Sequence, residues 1–142
     1  MVNNFDKIEA AMREILENDK FCQFLKLEVV ELEEKYIKAR IPFEEPVINS
    51  YGSTHGGVLY SIADIIAGTV ACLSGKFCCT VEGNMNYLLP AISKDYIYVE
   101  AKRVRDGAHL VVVKVKLKDD RGKLLDDGSF TFFKTDNDVA EG

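Results

Sequence analysis

Between Ser53 and Gly75 the chain carries a segment that is apolar on every side of a helix. Val58, Leu59, Ile62, Ala63, Ile65, Ile66, Val70, Ala71 and Leu73 together cover the whole circumference. Ser53 or Thr54 can cap its start and Gly75 can end it, so the spacing predicts a helix from about Gly57 to Leu73. A helix without a polar face must be enclosed all round. The apolar stretch is shorter than the roughly 20 residues of a membrane span and holds Asp64 in its middle. The enclosure must therefore come from the rest of the chain.

That chain is short, 142 residues with 47% hydrophobic, and reads as one domain over residues 1–142 that builds a core without disulfides or a structural metal. Phe5, Ile8, Met12, Ile15 and Leu16 recur at helical spacing behind Asn3 and Asn4, predicting an N-terminal helix within residues 3–20 that ends near Asn18-Asp19. The period then changes to two. Ile37, Ala39, Ile41 and Phe43 alternate with polar residues, with a hairpin partner around Leu27 to Leu32. Further strands are expected at Cys78 to Leu89, Ile97 to Ala101, Val111 to Leu117 and Leu124 to Phe133, with turns at Arg105-Asp106-Gly107 and Asp119 to Gly122. These connections are too short for parallel crossovers. The expected fold class is α+β: a curved antiparallel sheet of five to six strands wrapped around one long central helix, with residues 135–142 a frayed tail.

The net charge of −5 argues against nucleic acid as the main partner, because phosphate binding needs a clustered basic surface. Asp6 and Glu9 stand where a signal peptide would be apolar. Cys22, Cys72, Cys78 and Cys79 lack metal-ligand spacing, and with two histidines in the chain no zinc site is expected. All four read as reduced, mostly buried thiols of a soluble, cytoplasmic protein.

Asp64 is the one ionisable residue within the apolar helix. An unpaired buried carboxylate costs several kcal/mol, so it meets partners, borders a cleft or holds a proton. Nine residues earlier stands His55-Gly56-Gly57, where the helix begins. Glycines there leave backbone N–H groups open to a ligand, and the helix dipole favours developing negative charge. Together these suggest an oxyanion site and a general base; a structural carboxylate is the plainer alternative.

The run Asn49-Ser50-Tyr51-Gly52-Ser53-Thr54-His55-Gly56-Gly57, continuing to Ile62-Ala63-Asp64, resembles the signature of hotdog-fold thioesterases of the phenylacetate-degradation (PaaI-like) type. Tyr87-Leu88-Leu89-Pro90-Ala91 resembles the family's segment after the strand that follows the helix, so the resemblance spans nearly the whole chain. It implies a hotdog fold and hydrolysis of a small or medium acyl- or aryl-acyl-coenzyme A thioester. Asp64 would be the general base or nucleophile. The Gly56 N–H, helped by the Asn49 amide, would polarise the thioester carbonyl, and Thr80 would orient the water. His55, Gly57 and Arg105 would touch substrate, with Arg103 or Arg105 toward the coenzyme A phosphates. The resemblance also implies that Asn49 and Gly56 come from one subunit and Asp64 and Thr80 from another. A homodimer, or a homotetramer made of two dimers, is then expected. No metal and no cofactor apart from the substrate's coenzyme A are implied.

Other residues take plainer readings. Glu82 falls on the same strand face as Thr80 by the period of two and reads as exposed or at an interface. His109 beside a turn reads as solvated, and Ser61 lacks a nucleophile elbow. A non-catalytic acyl-coenzyme A binding module, a thioesterase for acyl carrier protein, and a dehydratase on the same fold remain the alternatives. A pure binder has no need of a carboxylate in an apolar helix, and dehydratases pair their Asp and His differently.

Overall fold

Six strands form one sheet, and a single long helix lies against it. The computed structural model describes residues 3–140. The elements run α1 (Asn4–Asn18), α2 (Lys20–Leu25), β1 (Glu28–Glu33), β2 (Tyr36–Pro42), α3 (Gly56–Cys72), β3 (Lys76–Tyr87), β4 (Tyr96–Asp106), β5 (Leu110–Lys118) and β6 (Leu124–Asp138). The sheet order is β1-β2-β4-β5-β6-β3, antiparallel throughout. α3 packs against β2 to β6, so the sheet curves around it as the apolar segment demands. Ile62, Ile66 and Val70 have no exposed surface, and they meet Ile37, Ile41, Val99, Val113, Leu117 and Phe130 from the strands. Burying a side chain of this size contributes about 1.5–3 kcal/mol, and the core repeats it many times over.

The N-terminal helix is interrupted where Asp19 intervenes. Asn3 Oδ1 accepts from the Asp6 N–H at 2.8 Å and caps α1. Asp19 ends α1 and caps α2, its Oδ1 accepting from the Cys22 N–H at 3.0 Å. A carboxylate that bonds the third residue onward starts a new helix, which the apolar periodicity alone did not reveal. The expected frayed tail is also corrected through Asp138. β6 continues through Thr135 to Asp138 and pairs back on Lys76, with Val139 buried and its N–H on the Gly75 carbonyl at 2.9 Å. Residues 141 and 142 lie outside the described residues.

Two further departures matter for function. α3 is not enclosed all round: Val58, Ser61, Asp64, Ile65 and Gly68 stay half-buried, and they form one stripe at three- and four-residue spacing. In addition, β3 closes one edge of the sheet, with Val81 60% exposed on it. A twelve-residue edge strand with an exposed apolar residue is an unpartnered surface.

The sheet itself tolerates no bulk at Gly128 of β6. A Cβ there would lie inside contact distance of the Asn84 carbonyl oxygen and 2.7 Å from Met85 Sδ, both on β3. Because backbone must move to admit it, Gly128→Ala is expected to cost about 1–3 kcal/mol in urea unfolding. An unchanged midpoint would mean that β3 and β6 are not packed as described.

Candidate active site

Asp64 sits midway along α3 on the half-buried stripe, and β3 brings Thr80 to it. Thr80 Oγ1 lies 2.8 Å from Asp64 Oδ1, with the hydroxyl donating. One carboxylate oxygen is thereby fixed and the other stays free. Thr80 reaches α3 because it pairs with Phe132 on the α3-facing side of the sheet. Immediately afterwards the register shifts at Val81, so Glu82 pairs with Thr131 and turns to the other face. The expected shared face of Thr80 and Glu82 is corrected by this bulge, which the period of two could not show. Glu82 is exposed, as is His109.

The start of α3 is built by the loop before it. Asn49 Oδ1 accepts from the Tyr51 N–H at 2.9 Å and the Ser53 N–H at 3.2 Å, while Asn49 Nδ2 donates to Ser53 Oγ at 3.2 Å. Thr54 is pinned to the Ala91 carbonyl by N–H at 2.9 Å and by Oγ1 at 3.0 Å, and the His55 N–H donates to Val47 O at 2.9 Å. His55 occupies the cap position without a side-chain bond to the helix. The N–H groups of Gly56 and Gly57 belong to the first turn, which has no acceptor within the helix. Both glycines are exposed, and no atom lies within 4 Å of where a Gly57 Cβ would stand.

These two halves do not meet within one chain. Eight residues of helix separate Gly56 from Asp64, roughly 12 Å along the axis. Asp64 and Thr80 come together; Asn49, His55, Gly56 and Gly57 cluster at the helix start. Arg105 joins neither: it is exposed at the end of β4, with β5 and β6 between it and β3. Arg103 is corrected outright. It follows Ile97, Val99 and Ala101 on the inward face by plain alternation, where it is 6% exposed and Nη1 donates to the Val70 carbonyl at 3.2 Å; the register shift at Val104 carries only Arg105 outward.

Two residues were given no role in the sequence reading. Tyr87 Oη donates to the Gly56 carbonyl at 3.0 Å and its ring lies 3.6 Å from the position of a Gly56 Cβ. With Leu59, Leu89 and Thr54 it lines a cleft of about 330 Å³ at the helix start. Burial raises its hydroxyl pKa, with a smaller contribution from Asp126. Asp126 is the cross-strand neighbour of Tyr87 on β6. It is 0% exposed, and among the described residues neither of its oxygens finds a hydrogen-bond partner. The period of two could have found it, since Asp126 shares a face with Phe130 and Phe132.

Comparison with known proteins follows the same lines. A sequence profile of the Thioesterase superfamily matches residues 51–125, just over half of the chain. A Saccharolobus solfataricus protein named as an esterase is 31% identical over 121 residues, covering 84% of this chain and 86% of its own. The Escherichia coli PaaI protein from the phenylacetic acid degradation operon has the same fold: TM-score 0.88 at 17% identity, covering 96% of this chain and 99% of that one. A Streptococcus mutans protein bound to acetyl-coenzyme A matches with TM-score 0.73 and 26% identity, over 77% of this chain and 88% of that one.

Desolvation, then repulsion from Asp127, pushes the Asp126 carboxyl from its ordinary 3.8 up to about 6. The folded protein thus holds this proton to higher pH than the unfolded chain does. Its contribution to stability falls as pH rises from about 4 to about 6 and stays low above that. Asp126→Asn is expected to remove this slope and to unfold about 1–3 kcal/mol later than the native chain at pH 7. Parallel stability–pH curves for the two proteins would refute the buried charge.

Proposed function

The chain belongs to the thioesterase superfamily and is a hotdog-fold thioester hydrolase, and from that premise we propose that it hydrolyses acyl-coenzyme A with Asp64 as its catalytic carboxylate. The observation that carries this reading is the 2.8 Å bond from Thr80 to Asp64 on the open stripe of α3. With Oδ1 held by Thr80, the other oxygen takes a proton from water while the Thr80 oxygen steadies that water. The water attacks the thioester carbonyl, whose oxygen is held by the free N–H of Gly56 at the positive end of α3. The tetrahedral intermediate collapses, expelling the coenzyme A thiolate and leaving the acid. Direct attack by the free carboxylate oxygen fits the same geometry as the second route. The substrate class is a small or medium acyl or aryl-acyl ester, with coenzyme A as carrier; the acetyl-coenzyme A bound by the S. mutans relative favours this carrier. The cleft beneath Tyr87 and Leu89 suits an acyl or pantetheine segment, and the exposed His55 and Gly57 are the chain neighbours of Gly56, which lines it. Arg105, remote in its own chain, serves only a phosphate reaching over from elsewhere.

The reading requires a second copy. Gly56 and Asp64 of one chain are too far apart to hold one carbonyl and one water, so one half comes from each of two chains. Two β3 edges pairing antiparallel about a two-fold between Gly83 and Asn84 would set Thr80 of one copy opposite Tyr87 of the other. Tyr87 touches Gly56, so this arrangement completes two sites at once and covers both the edge and the α3 stripe. Two such dimers would make the tetramer.

Asp64→Asn is expected to keep fold and assembly while losing at least about 10²-fold in kcat on a good acyl-coenzyme A ester, since base assistance is typically worth 10²–10⁴-fold. Asn49→Ala should lose less, because the Gly56 donor remains. A screen over short, medium, long and aromatic acyl-coenzyme A esters, and over acyl carrier protein, supplies the substrate for this measurement. Activity of Asp64→Asn within a few-fold of the native chain would leave Asp64 structural. Light scattering should find a dimer or tetramer at micromolar concentration; an active monomer would end the shared-site reading.

A further inference from the structure

We propose that Cys72 and Cys78 form a reversible intrachain disulfide that ties the end of α3 to the start of β3. Cys72 is the last residue of α3, and Cys78 lies in the third position of β3, beyond a turn made by Gly75 at φ +117°. The Cys78 N–H donates to Cys72 Sγ at 3.4 Å, so the helix sulfur rests on the strand backbone. Cys78 Sγ lies 3.3 Å from the Lys76 carbonyl. The neighbouring Cys78 side chain first, and its backbone N–H against the opposing effect of burial, lower the Cys72 pKa, while Cys72 and then burial raise that of Cys78, which makes Cys72 the attacking sulfur. Cys72 is buried and Cys78 half-buried, and both are free thiols. Neither remaining cysteine joins them. Cys79 is exposed and pairs with the exposed Phe133, on the opposite face from Cys78; Cys22 is buried in α2, its thiol pushed up to about 12 chiefly by burial.

The oxidant required is a hydroperoxide, small enough to reach a shielded pair. The Cys72 thiolate attacks one peroxide oxygen, the O–O bond breaks, and the Cys72 sulfenic acid and hydroxide form. The Cys78 sulfur then attacks the Cys72 sulfur and the S–O bond breaks. The departing hydroxide takes up the Cys78 proton as water. Two thiols have lost two electrons, and the peroxide, having gained them, leaves as two waters. Cys78 and Thr80 share the α3-facing side of β3, so the new tie acts two residues from the Asp64 partner.

The experiment uses the full chain carrying Cys22→Ser and Cys79→Ser, treated with a slight excess of hydrogen peroxide. The expected product is lighter by two hydrogen masses, keeps its oligomeric state, resists thiol alkylation and yields a cross-linked peptide joining Cys72 to Cys78. Dithiothreitol should restore both thiols. A protein that gains oxygen without the cross-link, or stays fully alkylatable, overturns the site. Oxidation should also lower acyl-coenzyme A hydrolysis at least about threefold, reversibly, because small displacements at a catalytic group are costly; Cys78→Ser should be insensitive. Unchanged hydrolysis by fully oxidised protein overturns the coupling to Thr80. This last readout rests on the thioesterase reading, whereas the mass and cross-link do not, so the two fail separately.

Discussion

Enclosure of α3 by the curved sheet is the constraint from which the other features descend. Its inward side chains have nowhere else to go, and five strands supply the surface they need. Once the helix is fixed at its middle by Ile62, Ile66 and Val70, both candidate functional positions on it are fixed as well. The glycine start is held at one end of the sheet, under Tyr87. Asp64 is held two turns further on, within reach of β3. A rigid element thus does for this site what loops cannot do with the same precision of placement.

The same rigidity divides the site. A helix cannot fold back on itself, so N–H donors at its start and a carboxylate in its middle cannot converge on one carbonyl group. The fold leaves the complementary surface open in two contiguous places, the stripe from Val58 to Gly68 and the β3 edge with its exposed Val81. No described helix is long and apolar enough to cross a membrane. Under the proposed reading, pairing with another copy of the chain would cover both openings together.

Much of this was legible in the residues because it follows from period. The all-round apolarity of the central segment announced a helix wrapped by sheet, and the alternation of Ile37 to Phe43 and of Val111 to Leu117 announced strands. Asp64 stood out as a carboxylate among apolar neighbours. What was not legible depends on departures from period. A bulge at Val81 sends Thr80 and Glu82 to opposite faces, and another at Val104 takes Arg105 off the inward face that plain alternation gives it, while Arg103 stays there as a buried donor to Val70. Asp19 restarts a helix through one hydrogen bond. The strand partner of 135–138 lies some sixty residues away at Lys76, which no local pattern encodes. Asp126 was hidden differently: it was readable by alternation but looked like one more polar residue beside a turn.

The half-buried stripe also explains how a carboxylate can sit on so apolar a helix. Fully enclosed, Asp64 would have to shed its charge or find a cation, and its one side-chain partner is the neutral hydroxyl of Thr80. Half-buried as it is, it keeps contact with water while a single oriented bond holds it in place. Under the proposed reading, a second chain and a thioester seated over the stripe would remove water from around a carboxylate already positioned. Interactions with charge developing on the carbonyl oxygen strengthen at that moment, in the lower dielectric of the closed interface. The contact that desolvates Asp64 would then be the one that delivers the N–H donors, which would confine reactivity to the assembled, occupied site.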